Sequence, residues 1–118
     1  MIDKFLELGF KNIGQFKKMQ GELHFEKIHQ GNNQSNVIWA LLSENETLYI
    51  GETINNIEDV IKDLINGNAN RATRNKTHEL LTEHIVKNKV YLFIDESDLN
   101  SKTDLVKQYK PIGNSHGK

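Results

Sequence analysis

The sequence lacks cysteine altogether, so neither a disulfide nor a thiolate metal site can form. Proline occurs once, at Pro111, and no apolar run approaches the roughly 20 residues that a membrane-spanning helix needs. The N-terminal residues also lack the basic, apolar and small-residue order of a signal peptide. These absences predict a cytoplasmic protein that does not contact a membrane.

Positive charge is scarce as well. The formal net charge is −1, and the only two arginines are Arg71 and Arg74. Proteins that coat nucleic acid are usually more basic than this, so any DNA contact must come from a local patch, or the partner is another protein. Frequent Asn, Lys and Ile beside so few arginines indicate an AT-rich genome, such as that of a bacterium or a phage.

The chain does contain enough apolar residues for one small core. It has 118 residues, of which 36% are hydrophobic and 26% charged, which is typical of a single globular domain. Apolar periodicity and turn residues predict, in order, a helix at 2–8, a strand through Leu23 and Phe25, a hairpin of 37–42 and 47–50, helices at 57–65 and 73–87, a strand at 90–94 and a helix at 101–110. This order favours an α+β fold, with helices packed against a mostly antiparallel sheet and the hairpin near its centre.

Two motifs stand far apart along the chain. Tyr49-Ile50-Gly51 ends a strand that is predicted to pair with the strand of Trp39. The last predicted helix, at 101–110, is followed by Pro111, and Asn114 lies three residues after that proline. Together they resemble the GIY-YIG nuclease superfamily, whose members carry a G-I-Y strand, then Y-I-G-x-T, and a late E-x-x-L-I-x-x-x-x-P-x-x-N helix.

The resemblance implies a fold and an activity. Residues 36–118 would be the GIY-YIG-like domain, and residues 1–35 an N-terminal extension of a helix and strands packed on it. In that superfamily the tyrosines orient or activate water, an arginine holds the phosphate, a glutamate binds a divalent metal, usually Mg²⁺, and the asparagine ties the site together. An active member would thus be a Mg²⁺-dependent endonuclease, and an inactive one would need no cofactor.

Some positions match this pattern and others do not. The resemblance carries the YIG tyrosine to Tyr49, the glycine to Gly51 and the terminal asparagine to Asn114. Trp39 stands where a tyrosine is expected, and indole has an N–H donor but no acidic hydroxyl. The usual arginine position falls near Val60. The glutamate position falls on Lys102, whose charge would repel Mg²⁺.

Substitutes are available nearby. Arg74 and His78 lie one helical turn apart and could supply the arginine and a catalytic histidine, as in some restriction enzymes of the superfamily. Asp98 or Asp104 could provide the metal-binding carboxylate.

A basic patch lies in the same part of the chain as Arg74 and His78. Arg71, Arg74 and Lys76 surround the start of a predicted helix, where they could bind nucleic-acid phosphates or form a solvated face. His24, His29 and His116 show no metal-ligand spacing.

Three functional hypotheses follow from these residues. The first is a metal-dependent DNA endonuclease with a rearranged site around Tyr49, Arg74 and His78. The second is a nuclease-like domain with impaired or lost catalysis that binds DNA, RNA or a protein. The third is an interaction domain unrelated to nucleic acid. We favour the second, because the tyrosine, arginine and glutamate positions all differ at once.

Overall fold

The structure is a computed structural model that describes residues 1–28 and 35–114. The described residues form four helices and five strands: α1 (Ile2–Glu7), β1 (Lys11–Met19), β2 (Glu22–Lys27), β3 (Val37–Ser43), β4 (Thr47–Thr53), α2 (Ile57–Asn66), α3 (Ala72–His84), β5 (Val90–Asp95) and α4 (Lys102–Tyr109). His29 and His116 lie outside the described residues. None of the described helices combines the length and the apolar character needed to cross a bilayer.

The strands form one sheet in the order β2-β1-β5-β3-β4, and each neighbouring pair is antiparallel. The predicted α+β class is therefore confirmed. The position expected for the hairpin is wrong in one respect, since β5 is the central strand and β4 lies at an edge. The reason is that residues 90–94 are apolar on both faces of the strand, so that β5 can lie between β1 and β3 and be buried there.

Two apolar cores lie on opposite faces of the sheet. On one face, Trp39 and Leu41 of β3 pack with α2 and with Leu81 of α3. On the other face, Ala40 and Leu42 pack with residues of α1 and α4. Successive residues of β3 thus point to different cores, which explains why this strand is apolar throughout rather than alternating.

Residues 1–28 contribute directly to the sheet. β1 pairs with β2 on one side and with β5 on the other, and it carries Ile13 and Phe16 into the core beneath α2 and α3. Phe5 of α1 belongs to the second core, where its ring lies 5.0 Å from that of Tyr109 on α4. The N-terminal segment is consequently built into both cores.

The exposed edge of β4 is covered by the segment that follows α4. The helix ends at Tyr109. The next residue, Lys110, has a left-handed conformation (φ 44°), and Pro111 prevents continuation of the helix. The Ile112 and Gly113 amides then donate hydrogen bonds to the carbonyl oxygens of Thr47 (3.2 Å) and Leu48 (2.7 Å). These bonds satisfy groups that an edge strand would otherwise leave open.

Candidate phosphate pocket

A pocket of about 380 Å³ lies where β3 and β4 meet the N-terminal ends of α3 and α4. Among the described residues its lining combines aromatic, cationic and small side chains: Trp39, Tyr49, Gly51, Glu52, Arg71, Ala72, Thr73, Arg74, Thr77 and Lys102. Four separate elements of the fold contribute to this lining, so the pocket exists only in the folded chain.

The inner wall of the pocket is aromatic. The rings of Trp39 and Tyr49 lie 5.2 Å apart between centroids, with their planes tilted by 36°. Gly51 is the cross-strand partner of Trp39, and a Cβ atom at Gly51 would stand 2.6 Å from the indole Cε2 atom. Glycine is therefore required at position 51 because the indole ring occupies the space of a side chain.

The Tyr49 hydroxyl belongs to a largely buried residue. Burial raises the pKa of Tyr49 above its ordinary value of 10.0, and the nearby positive charge of Arg74 acts in the opposite direction. Burial is the larger effect, because loss of solvation penalises the phenolate. At neutral pH Tyr49 is accordingly a neutral hydroxyl that can donate one hydrogen bond.

Arg74 is held by a carboxylate that is not part of the pocket lining. Its Nη1 atom lies 2.8 Å from Oδ2 of Asp63, and the two side chains are 8% and 15% exposed. Nη1 also contacts the Asp59 carbonyl oxygen at 3.5 Å. Both hydrogen bonds to described residues use Nη1, so Nε and Nη2 have no partner within that part of the chain. Asp63 thus fixes the guanidinium through Nη1, and no described residue uses the other two nitrogens.

The N-terminus of α3 contributes backbone donors. Asn56 and Ser101 cap α2 and α4 through side-chain hydrogen bonds, but Arg71, which occupies the cap position of α3, makes none. The first amide N–H groups of a helix have no partner inside the helix, and they form a partial positive charge. Ala72 and Thr73, which line the pocket, belong to this first turn.

Lys102 and Glu52 complete the charged lining. Lys102 is the first residue of α4, and its position is the one that the sequence pattern assigns to the metal-binding glutamate. Glu52 follows Gly51 directly and is exposed; it is the one carboxylate among the described lining residues.

These residues do not fit a divalent metal ion. Mg²⁺ prefers carboxylate and other oxygen ligands, whereas the described lining contains three cations, Arg71, Arg74 and Lys102, and a single carboxylate, that of Glu52. Within residues 1–28 and 35–114, no group of three or more histidine and acidic side chains could hold a metal ion.

Asn114 lies beside the pocket lining. Its side-chain Oδ1 accepts a hydrogen bond from the Ile50 amide, and its Nδ2 donates one to the Ile50 carbonyl oxygen, each at 2.9 Å. The side chain therefore pairs with β4 as another strand would. Since Ile50 stands between Tyr49 and Gly51, Asn114 fixes the backbone that carries both.

Several other residues predicted from the sequence lie elsewhere. The Nδ1 atom of His78 is 2.7 Å from the Leu64 carbonyl oxygen, and the ring lines a different cavity, near Gly21 of the β1–β2 turn. Lys76 is exposed on α3 and is not among the residues that line the pocket. The pocket thus brings together Trp39, Tyr49, Gly51, Arg71 and Arg74, but neither His78 nor Lys76.

The two predicted metal-binding aspartates are also absent from the lining. Asp98 would share a helix face with Lys102 only if α4 began early, but α4 begins at Lys102 and Asp98 lies in the preceding loop with a φ of 60°. Asp104 is exposed in the first turn of α4.

Sequence reasoning missed Glu52 and Asp63. Glu52 could have been found, because it adjoins the Tyr49-Ile50-Gly51 motif. Asp63 carried no such signal, since only the packing of α2 against α3 brings it to Arg74.

Comparison with solved structures identifies a similar fold. The structure of a bacteriophage T4 EndoII mutant, in which a glutamate is replaced by alanine, matches with a TM-score of 0.67 and 21% sequence identity over 98% of each chain. EndoII is a GIY-YIG nuclease. No family model and no curated protein sequence matches this chain. The nuclease-like fold that the sequence resemblance implied is therefore confirmed, and at this identity the likeness concerns the fold alone.

Proposed function

We propose that this chain is a nucleic-acid-binding domain with a nuclease-like fold, that it seats a backbone phosphate beside Tyr49, and that metal-dependent cleavage is lost or strongly reduced. The observation that carries the proposal is the composition of one pocket. The pocket is lined by three cations, Arg71, Arg74 and Lys102, by the N-terminus of α3, which has no side-chain cap, and by the aromatic rings of Trp39 and Tyr49.

The pocket suits a phosphate group for three reasons. The Nε and Nη2 atoms of Arg74 can donate two hydrogen bonds to neighbouring phosphate oxygens, which is the geometry that arginine favours. The first turn of α3 adds amide donors and a partial positive charge. The protonated hydroxyl of Tyr49 can donate one further bond. Nucleic acid presents such phosphates regardless of its sequence.

Impaired cleavage is proposed from the same residues. The positive charge of Lys102 would repel a divalent metal ion. The exposed Glu52 is the only carboxylate among the described residues of the lining. The rival hypothesis of an active endonuclease with Arg74, His78 and an aspartate gains no support here, since His78 bonds the Leu64 carbonyl oxygen and neither Asp98 nor Asp104 lines the pocket.

The first test measures binding of short DNA and RNA oligonucleotides by gel mobility shift at fixed ionic strength. We expect Arg71→Ala to weaken binding about tenfold, because a hydrogen bond to a charged group contributes on the order of 1.5 kcal/mol. Lys4→Ala is the matched control, since Lys4 is an exposed cation on α1 and is not in the pocket lining. Equal losses in both variants would contradict a role for this pocket.

A second measurement separates binding from cleavage. Purified protein is incubated with supercoiled plasmid and either Mg²⁺ or Mn²⁺, and we expect no nicking. Nicking that disappears in Tyr49→Phe would instead establish an endonuclease. If the protein neither nicks nor binds nucleic acid, an interaction domain of another kind remains.

A further inference from the structure

We propose that Lys102 takes the place of a metal ion in this pocket. Its ammonium group would neutralise a bound phosphate, so that phosphate binding requires no divalent cation. The inference rests on the proposed function and adds to it a metal-free mode of phosphate recognition.

The position of Lys102 is unfavourable in the absence of an anion. It is the first residue of α4, where the helix dipole places a partial positive charge, so a cation there lowers the stability of the helix. Asp104, in the same turn, offsets this only partly because it is exposed to solvent. Lys102 forms no ion pair with any described residue. Local structure therefore gives no reason for a lysine here.

The surroundings of Lys102 add to this imbalance. Arg71 and Arg74 line the same pocket, and like charges in one cavity disfavour one another. The carboxylate of Asp63 balances the charge of Arg74. The lining then still holds the two cations Arg71 and Lys102, but only one carboxylate among its described residues, the exposed Glu52. A bound phosphate would remove the repulsion among the three cations.

A buried donor supplies an independent sign that a ligand belongs here. Trp39 is 2% exposed and lines the pocket, yet its Nε1 atom has no hydrogen-bond partner among the described residues. This nitrogen lies next to Gly51, 2.8 Å from the place where a Cβ atom would stand. A buried N–H without an acceptor is costly, and a phosphate oxygen seated near Gly51 would provide the acceptor.

The experiment measures the affinity of a short single-stranded DNA by calorimetric titration, once in EDTA and once in excess Mg²⁺, at equal ionic strength. For the unaltered protein we expect affinities within about twofold of each other. Lys102→Met keeps most of the side-chain volume but removes the charge. It should weaken binding about tenfold in both buffers.

Lys102→Glu gives a sharper result. A second carboxylate in the lining would repel phosphate in EDTA. Together with Glu52 it would offer two carboxylates to Mg²⁺, so we expect Mg²⁺ to restore part of the affinity. Lys107→Met is the control, because Lys107 is an exposed cation of the same helix and is not in the pocket lining. Circular dichroism verifies that each variant is folded.

The outcomes separate this inference from the proposed function. If the unaltered protein binds only with Mg²⁺, or if Lys102→Met binds as tightly as the Lys107→Met control, the role of Lys102 is refuted. In either of these cases, DNA binding that is still weakened by Arg71→Ala would leave the proposed function intact. Failure of the unaltered protein to bind in either buffer would overturn both.

Discussion

At the scale of single residues, the pocket depends on small spaces as much as on charged groups. Gly51 has no side chain, and the Trp39 ring fills that space against β4. Tryptophan at position 39 and glycine at position 51 are therefore one structural unit. The sequence pointed to both positions through the motif, but their mutual contact depends on the strand register, which shifts at an irregularity between Leu41 and Leu42.

Gly51→Ala tests this unit. The new methyl group would lie 2.6 Å from the Trp39 ring, so the chain must shift and we expect the free energy of unfolding to fall by about 1–3 kcal/mol. Denaturant titration measures the loss. The double variant Gly51→Ala with Trp39→Leu serves as the control, because the smaller side chain makes room for the methyl group. The single variant Trp39→Leu is measured as well. If the double variant loses as much free energy of unfolding as the two single variants added together, the contact is unimportant.

At the scale of secondary-structure elements, sequence patterns indicated the four described helices and four of the five described strands, but not β1, and they indicated only one pair of neighbouring strands. Strands β3 and β4 were correctly expected as a hairpin, because a turn-like segment joins two apolar runs. The insertion of β5 between β1 and β3 depends on contacts between distant segments, so it could not be predicted from local periodicity. The same holds for the candidate site, where the sequence pattern points to Arg74 but not to Asp63, which forms an ion pair with it.

The segment after α4 acts as a short additional strand on β4, and Asn114 is its last described contact. Asn114→Ala removes both hydrogen bonds to Ile50, so we expect a loss of about 1–3 kcal/mol in the free energy of unfolding. Asn114→Asp keeps the acceptor for the Ile50 amide but places a carboxylate against the Ile50 carbonyl oxygen, and it should lose at least as much.

Asn88→Ala provides the control for thermal and denaturant unfolding. Asn88 is an exposed asparagine, and its side chain makes no hydrogen bond to a described residue. If Asn114→Ala unfolds at the same denaturant concentration as Asn88→Ala, the pairing with β4 contributes nothing to stability.

At the scale of the whole molecule, described N-terminal residues belong to both apolar cores. Removal of residues 1–35 would delete β1, expose the edge of β5 and take Phe5, Ile13 and Phe16 out of the two cores. Each fully buried apolar side chain contributes about 1.5–3 kcal/mol, and small domains have little stability in reserve. The boundary proposed from the sequence between residues 35 and 36 would then not separate two folding units.

We therefore expect the chain of residues 36–118 to lack a cooperative thermal transition when it is followed by circular dichroism. Addition of a synthetic peptide of residues 1–28 should restore that transition, because the peptide can pair with β5 as β1 does. A cooperative transition of the shortened chain by itself would mean that the N-terminal residues are dispensable.

The Trp39 side chain has one more consequence. It is the only tryptophan of the chain, and it lies in the wall of the proposed phosphate pocket. All tryptophan fluorescence of this protein therefore originates at that wall, with no background from other indoles. The molecule thus carries its own optical reporter, and the emission of an unlabelled sample can register whatever enters the pocket.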